Sequence, residues 1–246
     1  MTAGVPPELI RPLKEQEDMT PYLMPTAFID SDHPDISAFA RKHGAGHGGI
    51  SGAAVRLYYA VRDLNRYDPY SINLTLNGLK ASNVLKLGRG WCVSKAILLA
   101  ACLRSLGIPA RLGYTDVRNH LSTEALRKMM KTGIFRWHGY TSIHLNGEWI
   151  KATPVFNKEL CEKFRLATLE FNGREDSIYQ PFDLDGNRHM EYLADHGEFA
   201  DVPLDTMITD FKKYYPSVSF NRPEGNFEKE VDAETANLQA GPHAEK

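Results

Sequence analysis

One apolar helix constrains this chain more than any other feature of its sequence. From Cys92 to Leu106, apolar residues recur at spacings of three and four, which is the period of a helix. Gly107 and Pro109 follow, and these residue types end helices. Such heavy apolar content is typical of a helix buried in the core, so the rest of the fold has to be built around this segment.

Shorter elements are expected on both sides of that helix. Asn146-Gly147 lies between two runs of alternating residues, which is the strongest short signal for a β-hairpin. An inserted helix with Ser122 or Thr123 as its cap precedes the hairpin. After the hairpin, the sequence favours a mixture of short helices and loops. The predicted elements are helices at 53–64, 76–86 and within 118–135, a strand at 110–117, and the two hairpin strands around Asn146-Gly147.

The sequence divides into three parts. Residues 1–52 are expected to form an N-terminal arm, with a glycine-rich loop at 44–52, that packs on the body. Residues 53–221 form the main domain with a C-terminal extension. Residues 222–246 hold six acids, three bases and almost no large apolar side chains, so we expect a disordered acidic tail.

The bulk properties of the 246 residues exclude several classes of function. The net charge is −2, so nucleic-acid binding has no electrostatic support. Apolar runs are far shorter than the roughly 18 residues of a membrane span, and no secretory signal is visible. Three cysteines are typical of a reducing compartment, so we expect a cytoplasmic protein. No cofactor or metal is expected, and the sequence leaves the oligomeric state open.

Cys92 is the candidate nucleophile because of its place at the first turn of the helix. A helix N-terminus stabilises negative charge, and the thiolate is the reactive form of cysteine. The free N–H groups there are also suited to an oxyanion, and Gly88 and Gly90 would let a substrate approach the backbone. The alternative is a buried structural cysteine, which is how we interpret Cys102 in the middle of the helix.

The hairpin supplies a candidate base. A two-residue turn pairs Leu145 with Glu148 and Tyr140 with Thr153. His138 and Thr153 then become diagonal neighbours, about 7–8 Å apart at the backbone. This register predicts that His138 lies between Cys92 and an orienting group on the second strand.

Two segments resemble the transglutaminase-like superfamily, which is related in architecture to papain-like cysteine proteases. They are GRGWCVSKAILLAACLRSLGIPAR at 88–111 and WHGYTSIHLNGEWIKATP at 137–154. The likeness covers about residues 53–157 and indicates a bacterial-type, single-domain member. It implies an α+β fold, with the nucleophile's buried helix packed against an antiparallel sheet. It also implies a thiol nucleophile at Cys92, a base at His138, and chemistry on the amide bond of a peptide, a protein or a small molecule.

One position departs from the family pattern. The third residue of the family's triad is an aspartate, and here that position is Thr153. A hydroxyl is a poorer partner for an imidazole because it also donates. Asp116 and Asn157 are the alternatives, ranked after Thr153. A chain that lost catalysis and serves as a peptide-binding or scaffold module is therefore the second hypothesis. The predicted substrate-binding residues are Trp91, Gly90 and Tyr140.

Overall fold

A computed structural model describes residues 17–119, 122–178, 182–187, 189–216, 218 and 225–239. Within these ranges the helices are α1 (Pro34–Gly44), α2 (Gly49–Leu64), α3 (Leu76–Leu79), α4 (Ala81–Leu87), α5 (Cys92–Ser105), α6 (Glu124–Met130), α7 (Lys158–Lys163), α8 (Leu204–Tyr214) and α9 (Phe227–Gln239). The strands are β1 (Arg66–Tyr67), β2 (Arg89–Gly90), β3 (Ala110–Asn119), β4 (Ile134–Leu145), β5 (Glu148–Ala152) and β6 (Met190–Phe199).

Helix α5 is buried on all sides, as the apolar content of 92–106 predicts. Of its residues, all but Ser105 are buried. The two charged residues among them have hydrogen-bond partners: Lys95 Nζ donates to the carbonyl of Arg62 at 2.9 Å, and Arg104 donates to the carbonyl of Ala110. Buried charges persist in a core only when they are paired in this way. The helix ends where Gly107 adopts a φ of 73°, a conformation that favours glycine.

Helix α5 packs against an antiparallel sheet with strand order β5-β4-β3-β6. The Asn146-Gly147 turn sets the predicted hairpin register, since Leu145 pairs with Glu148. On the face of β4 toward the helix, the Thr141 hydroxyl donates to the carbonyl of Ala96 at 2.9 Å. The prediction of an α+β fold, with a buried helix against an antiparallel sheet, is confirmed.

The sheet is irregular where β3 and β4 approach the N-terminal end of α5. The pairing register shifts between Thr115 and Val117, where Arg136 and Trp137 of β4 lie opposite the single residue Asp116 of β3, so β4 is bulged at this point. Within this bulge, Trp137 has a φ of 59°, in the left-handed region that residues other than glycine rarely occupy. His138 is the next residue along the chain.

Several predicted boundaries are wrong. Helix α2 begins at Gly49, inside the segment expected to be a glycine-rich loop. The inserted helix is only the seven residues of α6, with the Thr123 hydroxyl capping it, because β3 and β4 extend into the segment on either side. Strand β6 was not predicted at all, and it pairs with β3 at the edge of the sheet.

The predicted disordered tail is wrong for the residues that the structure describes. Residues 227–239 form α9, in which Phe227 and Val231 are buried one turn apart. Few apolar residues suffice here because they fall on one face of the helix. Phe227 packs edge-on against Tyr67, with ring centroids 5.7 Å apart. Residues 222–224 and 240–246 lie outside the described ranges.

The predicted arm also contains helical structure. Helix α1 lies between residues 34 and 44 and packs against α2 and α5. Residues 1–16 lie outside the described ranges, and the division at residues 52 and 221 stays a prediction. No helix among the described residues is both long enough and apolar enough to span a bilayer.

Candidate active site

Cys92 is the first residue of α5, as the sequence predicts. The entry to the helix is fixed by Ser94, whose hydroxyl accepts a hydrogen bond from the Trp91 amide at 3.0 Å. Gly90 makes this cap possible, since a Cβ there would come within 2.5 Å of the Ser94 hydroxyl oxygen. The space beside Gly90 is thus filled by the cap. The expectation that Gly90 gives a substrate access to the backbone does not match this packing.

The Cys92 sulfur lies in a closed environment. The nearby backbone N–H groups of Gly139, Val93 and Cys92 itself lower the pKa of the thiol. Burial acts in the opposite direction and is the larger effect, so it raises the pKa to about 11. The residue is only 8% exposed. The thiol is therefore protonated at neutral pH, whereas the helix N-terminus alone would favour a thiolate.

His138 lines the same cavity as Cys92. Burial, and to a lesser extent the charge of His189, lowers the pKa of its imidazole to about 4. The residue is 5% exposed. The ring is therefore neutral at pH 7, which is the form that accepts a proton from a thiol.

The cavity shared by Cys92 and His138 is small and apolar. Its volume is about 40 Å³, enough for water but too small for a peptide side chain. Helices α6 and α8 cover it with Leu126, Met130 and Phe211. The aromatic residues in its lining are Tyr67, Trp91, Phe135, Phe156, Phe211 and Tyr215. Trp91, a predicted substrate-binding residue, thus lies beside the candidate nucleophile.

Tyr140, the other predicted substrate-binding aromatic, lies elsewhere. Its hydroxyl donates to a carboxylate oxygen of Glu198 at 3.2 Å. The Lys151 ammonium lies 5.1 Å from the centre of its ring. Tyr140 also packs so closely on Gly113 that a Cβ at that glycine would overlap the ring. Among the described residues that line the Cys92 cavity, neither Tyr140 nor Gly90 is present.

Thr153 and His138 line a second, smaller cavity of about 10 Å³. The backbone of Thr153 is held on both sides, since its amide donates to Ser177 and its carbonyl accepts from the Tyr58 hydroxyl. The Thr153 hydroxyl and His138 Nε2 are both buried, and neither has a hydrogen-bond partner in the part of the chain that the structure describes. His138, Phe156 and Met190 line both cavities, and His138 is the titratable residue among the three.

The two alternative orienting groups are bound to other partners. Asn157 Oδ1 accepts a hydrogen bond from the Tyr67 amide at 3.2 Å. The Asp116 carboxylate contacts the amide of Trp137 and the side chains of Arg136 and His196. Within the described ranges, no hydrogen bond joins either residue to His138.

Gly139 is a site residue that the sequence reasoning missed. A Cβ at this position would come within 2.9 Å of the Val93 Cα, so only glycine lets β4 lie directly against the first turn of α5. That close approach places its N–H against the Cys92 sulfur. A glycine inside a strand is a recognised sign of a close backbone approach, so the signal was available. The charge of His189 lowers the pKa of His138, and no sequence pattern would have identified His189 as part of the site.

No group of three histidine, cysteine or acidic side chains is positioned to hold a metal in the described parts of the chain. The site consists of a protonated thiol, a neutral imidazole and a hydroxyl. This is a set suited to acyl transfer through a sulfur nucleophile.

Residues 37–154 match the profile of the transglutaminase-like superfamily. These residues form a transglutaminase-like core. The core contains Cys92, His138 and Thr153 together with the helix and the hairpin that carry them.

Two solved structures show distant likeness to the chain. A candidate cysteine protease from Cytophaga hutchinsonii is 20% identical with a TM-score of 0.46, over 75% of this chain and 47% of that one. A candidate protease from Parabacteroides distasonis is 16% identical with a TM-score of 0.35, over 51% of this chain and 25% of that one. This chain thus spans about half the length of the Cytophaga protein and a quarter of the length of the Parabacteroides protein. No curated protein matches the chain.

Proposed function

We propose that this protein is a thiol-dependent acyl-transfer enzyme that acts on amide bonds, with Cys92 as nucleophile and His138 as general base. The observation that carries the proposal is the shared cavity of these two residues. The contact of the Cys92 sulfur with the amide of Gly139, the residue after His138, supports it.

The protonation states favour a general-base mechanism. With the pKa of the Cys92 thiol raised and that of His138 lowered, both groups are neutral at pH 7. As sulfur attacks the amide carbonyl, the thiol proton moves to the imidazole and the S–C bond forms. The C–N bond then breaks, and the leaving amine takes the proton from the imidazolium. Water completes hydrolysis of the thioester, or a second amine completes transfer.

The backbone around the sulfur suits the charge that develops in this reaction. The N–H groups of Cys92 and Val93 lie at the free N-terminus of α5, and that of Gly139 lies on the adjacent strand. Donors held in a dry site stabilise an oxyanion by about 3–4 kcal/mol each when measured by mutation. These three amides are the candidate donors.

Thr153 is the proposed orienting residue. It lines a cavity with His138, and hydrogen bonds to Ser177 and Tyr58 hold its backbone in place. A hydroxyl does not stabilise an imidazolium as a carboxylate does, so the reaction is expected to be slow. Asp116 and Asn157 are less suitable because other groups occupy their side-chain oxygens.

The proposed substrates are peptides, proteins or small amides, and no cofactor is needed. We call Leu126, Met130 and Phe211, with which α6 and α8 cover the cavity, the roof of the site. A substrate has to displace part of this roof, because the cavity of about 40 Å³ is smaller than any amide side chain with its backbone. All three cysteines, Cys92, Cys102 and Cys161, are free, in keeping with the proposed cytoplasmic location.

The proposal is tested by hydrolysis of pooled fluorogenic peptide amides, with hydroxylamine added in parallel to detect transfer. We expect Cys92→Ala and His138→Ala to abolish product formation. Cys102→Ala, in the same helix but fully buried, is the matched control and should keep it. Product that forms equally in the wild type and in Cys92→Ala would refute the proposal.

A second candidate function is a peptide-binding module that has lost catalysis. The unpaired Nε2 of His138, seen within the described residues, favours it because no acid stabilises the imidazolium. In that case the same peptide pools would bind, as measured by calorimetry, with equal affinity for the wild type and Cys92→Ala, and no product would form.

A further inference from the structure

We propose that Asp116 is a positioning residue for His138, which acts through the backbone of Trp137 and not on the imidazole itself. The inference rests on the proposed function, because it concerns the direction in which the base points. It assigns Asp116 a role different from that of a substitute third residue of a triad.

The Asp116 carboxylate is buried and fully engaged. The residue is 1% exposed. Oδ1 accepts a hydrogen bond from the Trp137 amide at 3.1 Å and lies 2.7 Å from His196 Nε2. Oδ2 forms an ion pair with Arg136. A charged acceptor in a buried site makes a hydrogen bond of roughly twice the ordinary strength, so the Trp137 amide is firmly held.

The backbone that Asp116 holds is strained. A tryptophan with a φ of 59° costs about 1–3 kcal/mol, and such a conformation persists only where the surroundings enforce it. The indole ring is fixed as well. It stacks on His196 at a centroid distance of 4.2 Å, and its Nε1 donates to Asp210 at 2.9 Å. The conformation of Trp137 is thus set from both its backbone and its side chain.

The two residues that follow Trp137 both belong to the surroundings of Cys92. His138 lines the cavity of the thiol, and the Gly139 amide contacts the sulfur. If Trp137 returned to the usual extended conformation, the chain direction after it would change and both contacts would move. The hydrogen bond between Asp116 and the Trp137 amide, in the bulge of β4, therefore fixes the relation between base and nucleophile.

A direct role on the imidazole is less consistent with the geometry. Both Asp116 oxygens face groups on the side of Trp137, Arg136 and His196, and none of the described hydrogen bonds joins Asp116 to His138. A purely structural role would also require these contacts. The test therefore has to separate loss of folding from misplacement of the His138 imidazole in a folded protein.

The test uses a peptidyl vinyl sulfone, in which sulfur adds to the alkene and the thiol proton ends on the adjacent carbon. Its inactivation kinetics separate binding, KI, from the His138-assisted step, kinact. We expect Asp116→Ala to lower kinact by about 10- to 100-fold with KI nearly unchanged, since a small misplacement of a reacting group has effects of this size. Asp116→Asn keeps an oxygen for the Trp137 amide and should recover most of kinact.

A purely structural role would instead lower the folded fraction, measured by circular dichroism, and leave kinact per folded molecule at the wild-type value. That result would overturn the inference. If Asp116→Ala does not fold, hydrogen exchange in the wild type decides. We expect the Trp137 amide to be protected at least 100-fold, and exchange at the rate of an exposed amide would also overturn it. Failure of the proposed function is distinguishable, because then the wild type and His138→Ala would react with the probe at equal rates.

Discussion

Gly139 lies against Val93 so closely that a Cβ on the glycine would come within 2.9 Å of the Val93 Cα. This contact joins β4, which carries His138, to the first turn of α5, which carries Cys92. It is also what brings the Gly139 amide to the sulfur. The placement of Cys92 and His138 on one cavity therefore depends on the absence of a side chain at residue 139.

Gly139→Ala is expected to separate the strand from the helix. Overpacking of this kind costs about 1–3 kcal/mol, and we expect the same loss of stability in chemical denaturation. Labelling of Cys92 by the vinyl sulfone should slow at least tenfold, as measured by intact mass. Gly133→Ala is the control, since a Cβ there has ordinary contacts, the nearest at 3.7 Å. Equal labelling of the two variants would contradict this account of the site.

The sequence predicted the framework of the site because the signals there are local. The period of α5, its Gly107 stop and the Asn146-Gly147 turn each depend on a few neighbouring residues, and each is confirmed. The register of the hairpin then follows from strand alternation.

Other features depend on contacts between distant residues. The apolar residues of strand β6 do not alternate regularly with polar ones, and the strand is defined by its pairing with β3. The bulge of β4 at Trp137 is stabilised by a hydrogen bond to Asp116 on the neighbouring strand β3. The low pKa of His138 arises from burial under the roof, which no local pattern shows. These are tertiary effects, so the sequence alone did not give them.

Thr153→Asp is expected to restore the aspartate that the transglutaminase-like family has at this position. A carboxylate at this position would face His138 across the small cavity of about 10 Å³ and raise the pKa of the imidazole. We expect kinact to rise about tenfold, as with other groups that stabilise an imidazolium, and Thr153→Val to lower it severalfold. Identical kinact values for Thr153→Val and the wild type would show that the hydroxyl does not act on His138.

The stability of the protein should depend on His138 in mild acid. Its pKa is lowered from 6.5 to about 4 in the folded state, so below pH 6.5 the unfolded chain takes up a proton that the folded chain does not. The free energy of unfolding should therefore fall between pH 6.5 and 4, by on the order of 3 kcal/mol from this group. Urea titrations across this range should show a smaller fall for His138→Gln.

His144→Gln, on the same strand beside Trp149, is the matched control for removal of one histidine. If the fall in stability is the same in His138→Gln as in the wild type, the imidazole of His138 is not buried in its neutral form.

Helix α9 is expected to hold the roof closed. Glu230 accepts hydrogen bonds from the Tyr70 hydroxyl at 2.6 Å and from the Thr123 hydroxyl at 3.1 Å, and Thr123 caps α6. Helix α6 contributes Leu126 and Met130 to the cover over Cys92. Loss of these bonds should favour opening, so Glu230→Ala should speed the reaction of Cys92 with iodoacetamide severalfold at pH 8.

Lys229→Ala, at an exposed position of the same helix, should leave the alkylation rate unchanged. Peptide mapping by mass spectrometry assigns the modified cysteine. A lower melting temperature for Glu230→Ala without faster alkylation would mean that α9 stabilises the fold but does not control access to the thiol.

The most direct measurement of the central claim is the second-order rate constant for labelling of Cys92 by the vinyl sulfone in the wild type and in His138→Ala. Cys92 and His138 line one cavity and act as nucleophile and base in this account, so the rate constant should fall at least 100-fold in the variant, with the label confined to Cys92. Equal rate constants in the two proteins would contradict it.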